Sequence, residues 1–238
     1  MLSYFQTRPE NRSEVHNNLT FGATYQFSEN FVQAFSHDEV VHGKGSLVNK
    51  MGLEDEADRI ANLRALLALQ WTWPGKKTLF MGCEFGQWKE WNCDAPLDWS
   101  LLKFPLHQGL RKLVADLNHL YLSHQSWSKV DHQGDKFRWV DCNDSARQTV
   151  SFLKFGQHPQ DTLLVACNLS DQVVHRDWGC PHAGSWEVVL DTDSPDYGGE
   201  GAAGASSFLT NAHDCDFFPN SLSFAVGRWS VRILAFQG

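Results

Sequence analysis

The pattern of apolar and polar positions changes near residue 125. Before that point, apolar residues recur with a helical period and alternate with short apolar runs. Beyond it, short apolar runs are separated by turn-forming residues. The pattern therefore predicts two parts, residues 1–125 and residues 126–238, with different architectures.

The first part has the pattern of a strand, a helix and a second strand. Between residues 55 and 73, apolar side chains at Ile60, Leu63, Leu67 and Trp71 follow steps of three and four, which predicts an amphipathic helix. Pro and Gly at positions 74 and 75 end it. Short apolar runs at residues 31–35 and 78–81 lie on either side. This order predicts a βαβ unit with parallel strands.

A second helix is predicted after a long loop. Its apolar stripe repeats with a period close to 3.6 residues and consists of Leu110, Leu113, Val114, Leu117, Leu120 and Tyr121.

The second part is predicted to be all-β. Its strand candidates are residues 137–140, 149–153, 163–167, 186–190, 221–226 and 230–236. Several strands at this spacing, separated by turn residues, are typical of an antiparallel sandwich or barrel.

Composition excludes several classes of protein. The 238 residues contain no run of about 20 apolar residues, so no transmembrane helix is predicted. Aromatic residues make up 13% of the chain, which disagrees with a disordered protein. A net charge of −8 argues against a nucleic-acid-binding surface. The six cysteines have no CxxC spacing and the first residues have no secretory pattern, so we expect free thiols in the cytoplasm.

The densest polar cluster, residues 36–44, directly follows the first predicted strand, and three interpretations compete for it. His37 and His42 flank two carboxylates, but a spacing of five residues does not place both on one helical face, which disfavours a zinc site. Ser36 or Asp38 could instead cap a short helix in a solvated loop. In the third interpretation, one carboxylate of this cluster belongs to a catalytic centre, with His37 as a neutral hydrogen-bond donor beside it. Spacing alone does not decide among them.

The motif FSHDEVVHGKGS, followed by PGKKTLFMGCEFGQWKEWNCDAPLDW, closely resembles bacterial 1,4-α-glucan (glycogen) branching enzymes. These are retaining (β/α)₈-barrel enzymes of the α-amylase superfamily. The segments NNLTFGATYQFSENFV and LDTDSPDYGGEG also resemble that family. The resemblance implies that residues 1–125 form barrel strands seven and eight with their helices, and that residues 126–238 form a C-terminal β-sandwich.

The resemblance also implies roles for individual residues. Asp38 would be the third carboxylate of the catalytic centre, and His37 would donate a hydrogen bond to the same glucose. Five further residues would lie at the rim and face the glucan: Glu84, Gln87, Trp88, Trp91 and Asp94. Cys83 and Cys93 stand where many relatives have an amide and a histidine, so specificity at this rim is in doubt. No organic cofactor or essential metal is implied.

Retaining chemistry needs a nucleophile and a general acid/base, and neither family motif is present. We therefore expect a C-terminal part of a branching enzyme, as a fragment, a frameshift product or one half of a split enzyme, inactive alone. An upstream chain would carry the rest of the barrel. A non-catalytic glucan-binding or assembly module is the alternative, and a metal hydrolase using His37 and His42 is a third. We also expect residues 1–125 to be loosely folded in isolation and the sandwich to be the more autonomous unit.

Overall fold

A computed structural model describes the backbone of residues 1–238 and every side chain except those of residues 125 and 126. The predicted boundary between the two parts falls on these two residues, whose side chains lie outside the description. The first part contains five helices and two strands: α1 (Leu2–Gln6), α2 (Asn17–Thr20), β1 (Val32–Phe35), α3 (Glu56–Thr72), β2 (Lys76–Leu79), α4 (Pro105–Ser123) and α5 (Gln125–Ser128). None of the described helices is long and apolar enough to cross a membrane.

The predicted βαβ unit is confirmed. Strands β1 and β2 pair in parallel, with Val32 opposite Lys76 and Phe35 opposite Leu79, and α3 connects them. The Asp55 carboxylate caps α3 by accepting hydrogen bonds from the backbone N–H groups of Ala57 and Asp58. Strand β2 ends earlier than the predicted run at residues 78–81, so Phe80 and Met81 lie beyond its carboxyl end.

Helix α3 is more deeply buried than an amphipathic surface helix. Every residue from Ile60 to Thr72 is buried, whereas the sequence pattern predicted a single apolar face. The polar side chains inside this stretch each make at least one hydrogen bond. The Gln70 amide donates to the carbonyl oxygens of Gln33 and Thr78, both at 3.0 Å, and so fastens the helix to β1 and β2.

The second part consists of two antiparallel sheets, as predicted. The larger has the strand order β3-β4-β5-β10-β7-β8 and the smaller pairs β6 with β9. The bounds are β3 (Phe137–Asp141), β4 (Thr149–Lys154), β5 (Leu163–Asn168), β6 (Val174–Cys180), β7 (Ser185–Asp191), β8 (Ser207–Leu209), β9 (Asn220–Val226) and β10 (Ser230–Phe236). The sequence pattern missed β6 and β8, because β6 carries charged residues on its exposed side and β8 has three residues.

The centre of the larger sheet is buried on both faces. All residues of β4, β5 and β10 are buried. Alternate side chains belong to two different cores: Leu164 and Leu234 pack against β6 and β9, whereas Val165 and Ile233 belong to the core shared with α3. The first part therefore covers one face of the main sheet of the sandwich. The expectation that the sandwich is the more autonomous unit stays a prediction.

A loop of the sandwich also fastens the two parts together. The guanidinium of Arg64 in α3 donates to the Tyr197 carbonyl oxygen at 3.0 Å, and the Tyr197 hydroxyl donates to Asp116 of α4 at 2.7 Å. Gly109 lies in α4 where a β-carbon would overlap the Tyr197 carbonyl group. The close approach of loop and helix therefore requires a glycine at position 109.

We predict that Gly109→Ala destabilises the protein, although alanine favours a helix by about 0.5–1 kcal/mol. The added methyl group must displace the loop at Tyr197, and overpacking of this kind costs about 1–3 kcal/mol. Urea unfolding of the variant measures the change in the free energy of unfolding. Gly22→Ala is the matched control, since a β-carbon at Gly22 would meet one atom at 4.0 Å and needs no displacement. Unchanged or increased stability of the Gly109 variant would contradict the prediction.

Lys154 at the end of β4 is almost completely buried. Its side chain is 1% exposed, and among the described residues its ammonium nitrogen has no hydrogen-bond partner. Burial lowers the pKa of Lys154 to about 7, and the charge of Asp131 offsets part of this decrease. The folded protein therefore binds fewer protons than the unfolded chain between about pH 7 and the ordinary lysine pKa, and this group makes stability rise with pH across that range.

We predict that Lys154→Met increases the free energy of unfolding at pH 7 by about 1–3 kcal/mol, because it removes a buried polar group that lacks a partner. The gain should shrink toward pH 10, where the native lysine is already neutral in the folded state. Chemical unfolding of both proteins at a series of pH values gives this difference. A variant that is no more stable at pH 7, or a gain that does not depend on pH, would be inconsistent with a buried unpaired ammonium.

Candidate functional site

The carboxyl ends of β1 and β2 lie side by side and carry the candidate residues. The backbone N–H of Phe80 donates to the Phe35 carbonyl oxygen at 2.8 Å, which extends the pairing by one residue beyond β2. The chain then leaves β1 through Ser36 and leaves β2 through Met81. Two loops, residues 36–50 and residues 80–99, therefore begin at neighbouring positions on one edge of the sheet.

His37 and Asp38 lie in the first turn after β1. The Ser36 hydroxyl accepts a hydrogen bond from the Asp38 backbone N–H at 3.2 Å, and residues His37–Glu39 form one turn of 3₁₀ helix. The capped-turn interpretation thus describes the local backbone correctly. It does not exclude the catalytic interpretation, because the side chains of His37 and Asp38 are 60% and 69% exposed and therefore accessible to a ligand. Their Nε2 and Oδ1 atoms are 3.4 Å apart.

The metal interpretation gains no support from the described side chains. His42 adopts a φ of 60°, and no group of three or more His, Cys, Asp or Glu among the described residues could hold a metal ion.

An aromatic row connects the two loops. The His37 ring lies 6.1 Å from the Phe80 ring, and Phe80 packs edge-on against Trp91 with their centroids 5.2 Å apart. The Trp91 indole is half-buried and so keeps part of its surface open. Aromatic faces next to hydrogen-bonding groups suit ligands with both apolar and hydroxyl surface.

Gln87 and Trp88, for which a role at the glucan-facing rim stays a prediction, have polar groups that are paired within the protein. Gln87 is buried, and its amide accepts from the Asp98 backbone N–H at 2.9 Å and donates to the Lys89 carbonyl oxygen at 3.1 Å. The Trp88 indole N–H donates to Nε2 of His107 at 3.2 Å. The amide of Gln87 is thus paired within the loop, and the indole of Trp88 is paired with α4, so both residues shape the loop after β2.

Glu84 and Asp94 have different environments on the loop after β2. The half-buried Glu84 carboxylate accepts from the Gly82 backbone N–H at 2.7 Å and lines an open depression of about 790 Å³ beside β2. Asp94 is exposed, and its backbone N–H donates to the Asn92 side chain at 2.9 Å. The structure therefore brings His37 and Trp91 together through Phe80, with Asp38 next to His37. Glu84 and Asp94 lie on the same loop as Trp91.

The two cysteines of this loop have different environments. Cys83 is buried, and desolvation raises the pKa of its thiol to about 12, so it is protonated at neutral pH. Cys93 is exposed, and all six cysteines of the chain are free.

One residue of the site was missed by sequence reasoning. The Glu90 carboxylate accepts backbone hydrogen bonds from Gly43 at 2.9 Å and Gly45 at 2.6 Å. These two N–H donors lower the pKa of Glu90. The glycines around Lys44 were the available signal, since alternating glycines allow the backbone to turn its N–H groups toward one acceptor.

Comparison with known proteins adds two findings. Residues 139–237 match the family described as "Alpha amylase, C-terminal all-beta domain". Over 235 residues, the chain is 43% identical to the 1,4-alpha-glucan branching enzyme GlgB of Synechococcus elongatus, covering 98% of this chain and 30% of that protein. It is 45% identical over 202 residues to GlgB of Aquifex aeolicus, covering 84% of this chain and 32% of that protein. The chain thus spans about 30% of the length of the curated relatives it matches.

We predict that Gln87→Met loosens the loop after β2, because both partners of the amide lose their hydrogen bond and a buried unpaired group costs about 1–3 kcal/mol. Hydrogen exchange should be faster at the Asp98 amide, and the free energy of unfolding should fall. Gln108→Met is a suitable control, since Gln108 is exposed and donates one hydrogen bond to Leu102 at 2.7 Å. An Asp98 amide as protected in the Gln87 variant as in the native chain would refute the assigned role.

Proposed function

Because the chain belongs to the family of bacterial 1,4-alpha-glucan branching enzymes, we propose that it supplies part of the active site of such an enzyme. The complete enzyme would cleave an α-1,4-glucan, hold the released segment covalently, and transfer it to a glucose 6-hydroxyl in the cytoplasm. The observation that carries this proposal is the exposed His37–Asp38 pair at the carboxyl end of β1, next to the carboxyl end of a parallel neighbour.

We propose that residues 1–125 form the last quarter of a (β/α)₈ barrel and that residues 126–238 form the C-terminal sandwich domain. Two observations support the barrel. The strands β1 and β2 are parallel and joined by a helix, as in a barrel repeat. Each of them also has one edge without a partner strand among the described residues, where further barrel strands could pair.

Surfaces beside these edges are suited to such pairing. Val32 on β1 is 54% exposed, and Met81 after β2 is 51% exposed. The depression beside β2 is lined largely by apolar side chains, including Leu79, Phe80 and Trp71. Exposed apolar surface along an unpaired strand favours association with another strand. An upstream segment or chain carrying the rest of the barrel is therefore the proposed partner of this face.

Asp38 is proposed as the carboxylate that stabilises the transition state. Hydrolysis and transfer at a glycosidic bond pass through an oxocarbenium-like state with positive charge on the sugar ring. A fixed carboxylate favours that charge, and hydrogen bonds to ring hydroxyls strengthen as the ring distorts. His37, adjacent to Asp38, is proposed to donate one of these hydrogen bonds. The covalent nucleophile and the general acid/base would come from the upstream part.

The loop after β2 is proposed to bind the glucan at the rim. The half-exposed Trp91 ring is placed to pack on a sugar, while Glu84 and Asp94 are placed to bind hydroxyl groups. Gln87 and Trp88 would act by holding that loop in shape. The aromatic side chains of Phe80 and Trp91 would also limit the access of water, which competes with the acceptor sugar for the covalent intermediate.

We predict that the purified 238-residue chain does not branch amylose, because two of the three reacting carboxylates are supplied elsewhere. A single polypeptide that joins the upstream portion of the Synechococcus elongatus relative to this chain should branch amylose. Loss of iodine colour and new α-1,6 signals in proton NMR measure the reaction. Clear branching by the isolated chain would contradict the proposal.

In the joined enzyme, Asp38→Asn should reduce kcat by about 100- to 1000-fold, as expected when electrostatic stabilisation of the transition state is removed. Asp135→Asn is the control, since the Asp135 side chain is 74% exposed and its described ion pair is with neighbouring Lys136. Equal activity of the Asp38 and Asp135 variants would exclude Asp38 from the reaction. Retention of the isolated chain on insoluble starch, with no turnover in the joined enzyme, would favour a glucan-binding module instead.

A further inference from the structure

The loop after β1 is held in place by the carboxylate of Glu90, a residue of the loop after β2. Glu90 accepts the backbone N–H groups of Gly43 and Gly45, at 2.9 and 2.6 Å. His42, Gly43 and Gly45 have φ values of 60°, 80° and 73°, all in the left-handed region. Successive backbone N–H groups in such conformations form a concave site for an anion, and here the anion is a side chain of the same protein.

Lys44, which lies between the two glycines that Glu90 binds, contacts Asp38. The Lys44 ammonium donates to the backbone carbonyl oxygen of Asp38 at 2.7 Å. Lys50 in turn donates to the Lys44 carbonyl oxygen at 2.5 Å. A continuous series of hydrogen bonds therefore runs from Glu90, through the backbone on both sides of Lys44, to the peptide group of Asp38.

Two further hydrogen bonds bind the same two segments. The Trp91 backbone N–H donates to the Val40 carbonyl oxygen at 3.1 Å, and the Asn49 side chain donates to the Trp88 carbonyl oxygen at 2.7 Å. Residues 88–91 thus contact the loop after β1 both before and after the glycine turn. In these contacts Trp88 and Trp91 use backbone groups, whereas Glu90 uses its side chain.

We propose that Glu90 is a positioning residue that acts through Lys44 to fix the orientation of the Asp38–His37 turn for glucan transfer. This inference rests on the proposed function, which assigns Asp38 to the reaction. In this proposal Glu90 acts on the backbone that leads to the catalytic turn.

The physical need for such a residue follows from the composition of the loop. Glycines at positions 43 and 45 have the greatest conformational freedom of any residue type, and the His37 and Asp38 side chains have little packing of their own. Without an anchor, the turn would sample several orientations. A displacement of about 1 Å at a reacting group can lower a rate by about 100-fold.

The structural consequence is testable in the 238-residue chain itself by NMR. Glu90→Gln leaves one of the two glycine N–H groups without an acceptor, so the Gly43 or Gly45 amide should shift and exchange faster. If the series of contacts is real, the resonances of Lys44 and Asp38 should move as well. Glu54→Gln is the matched control, since Glu54 is an exposed carboxylate whose described partner is Arg8. Unmoved Asp38 and Lys44 resonances in the Glu90 variant would overturn the proposal.

The functional consequence is measured in the joined enzyme. Glu90→Gln and Lys44→Met should each lower kcat by about 10- to 100-fold with KM changed less than about threefold, because a misplaced transition-state group affects turnover more than ground-state binding. The double variant should be no slower than the slower single variant, since both act on one path. Lys44→Arg, which keeps a donor, should restore part of the rate.

The outcomes separate the two proposals. If the native joined enzyme does not branch amylose, the proposed function fails, and the NMR result on the chain still decides whether Glu90 positions Asp38. If the native enzyme is active but Glu90→Gln has an unchanged kcat, the positioning role is overturned while the proposed function stands. Losses that multiply in the double variant would likewise overturn it, because they would show that Glu90 and Lys44 act independently.

Discussion

The burial of both faces of the larger sheet is the constraint on which the rest of the structure depends. A strand whose alternate side chains enter two different cores needs a cover on each side. Here β6 and β9 cover one face, and α3 with the N-terminal segments covers the other. Trp73 at the end of α3 illustrates the contact, with its ring 6.0 Å from Phe152 of β4. The two parts of the chain therefore share one core.

This shared core also fixes the site. Helix α3 is held against the sandwich on one side and hydrogen-bonded through Gln70 to both parallel strands on the other. The ends of β1 and β2 are thereby fixed relative to a large buried sheet. The loops that leave these ends are exposed and rich in glycine, so they need hydrogen bonds of their own. Glu90, Gln87 and the backbone of Trp91 supply these bonds.

Much of the fold followed from local patterns. The βαβ unit and six sandwich strands were predictable because periodicity, helix-ending residues and turn residues act over a few positions. The deep burial of α3 was not predictable, because its polar residues Asn62, Arg64 and Gln70 are of types usually found on an exposed helix face. Strands β6 and β8 were not predicted, because β6 carries charged residues on its exposed side and β8 has three residues.

The sequence by itself indicated the family and the candidate site residues, since the His37–Asp38 motif and its companion segments are specific strings of residue types. The tertiary structure decided how they are arranged. It placed Trp91 against Phe80 beside His37, enclosed the Gln87 amide within its loop, and set Glu90 on the glycine turn that leads back to Asp38. The hydrogen bond between Glu90 and Gly43 joins residues 47 positions apart. No local pattern encodes it, because hydrogen bonds between loops form once the strands beneath them are paired.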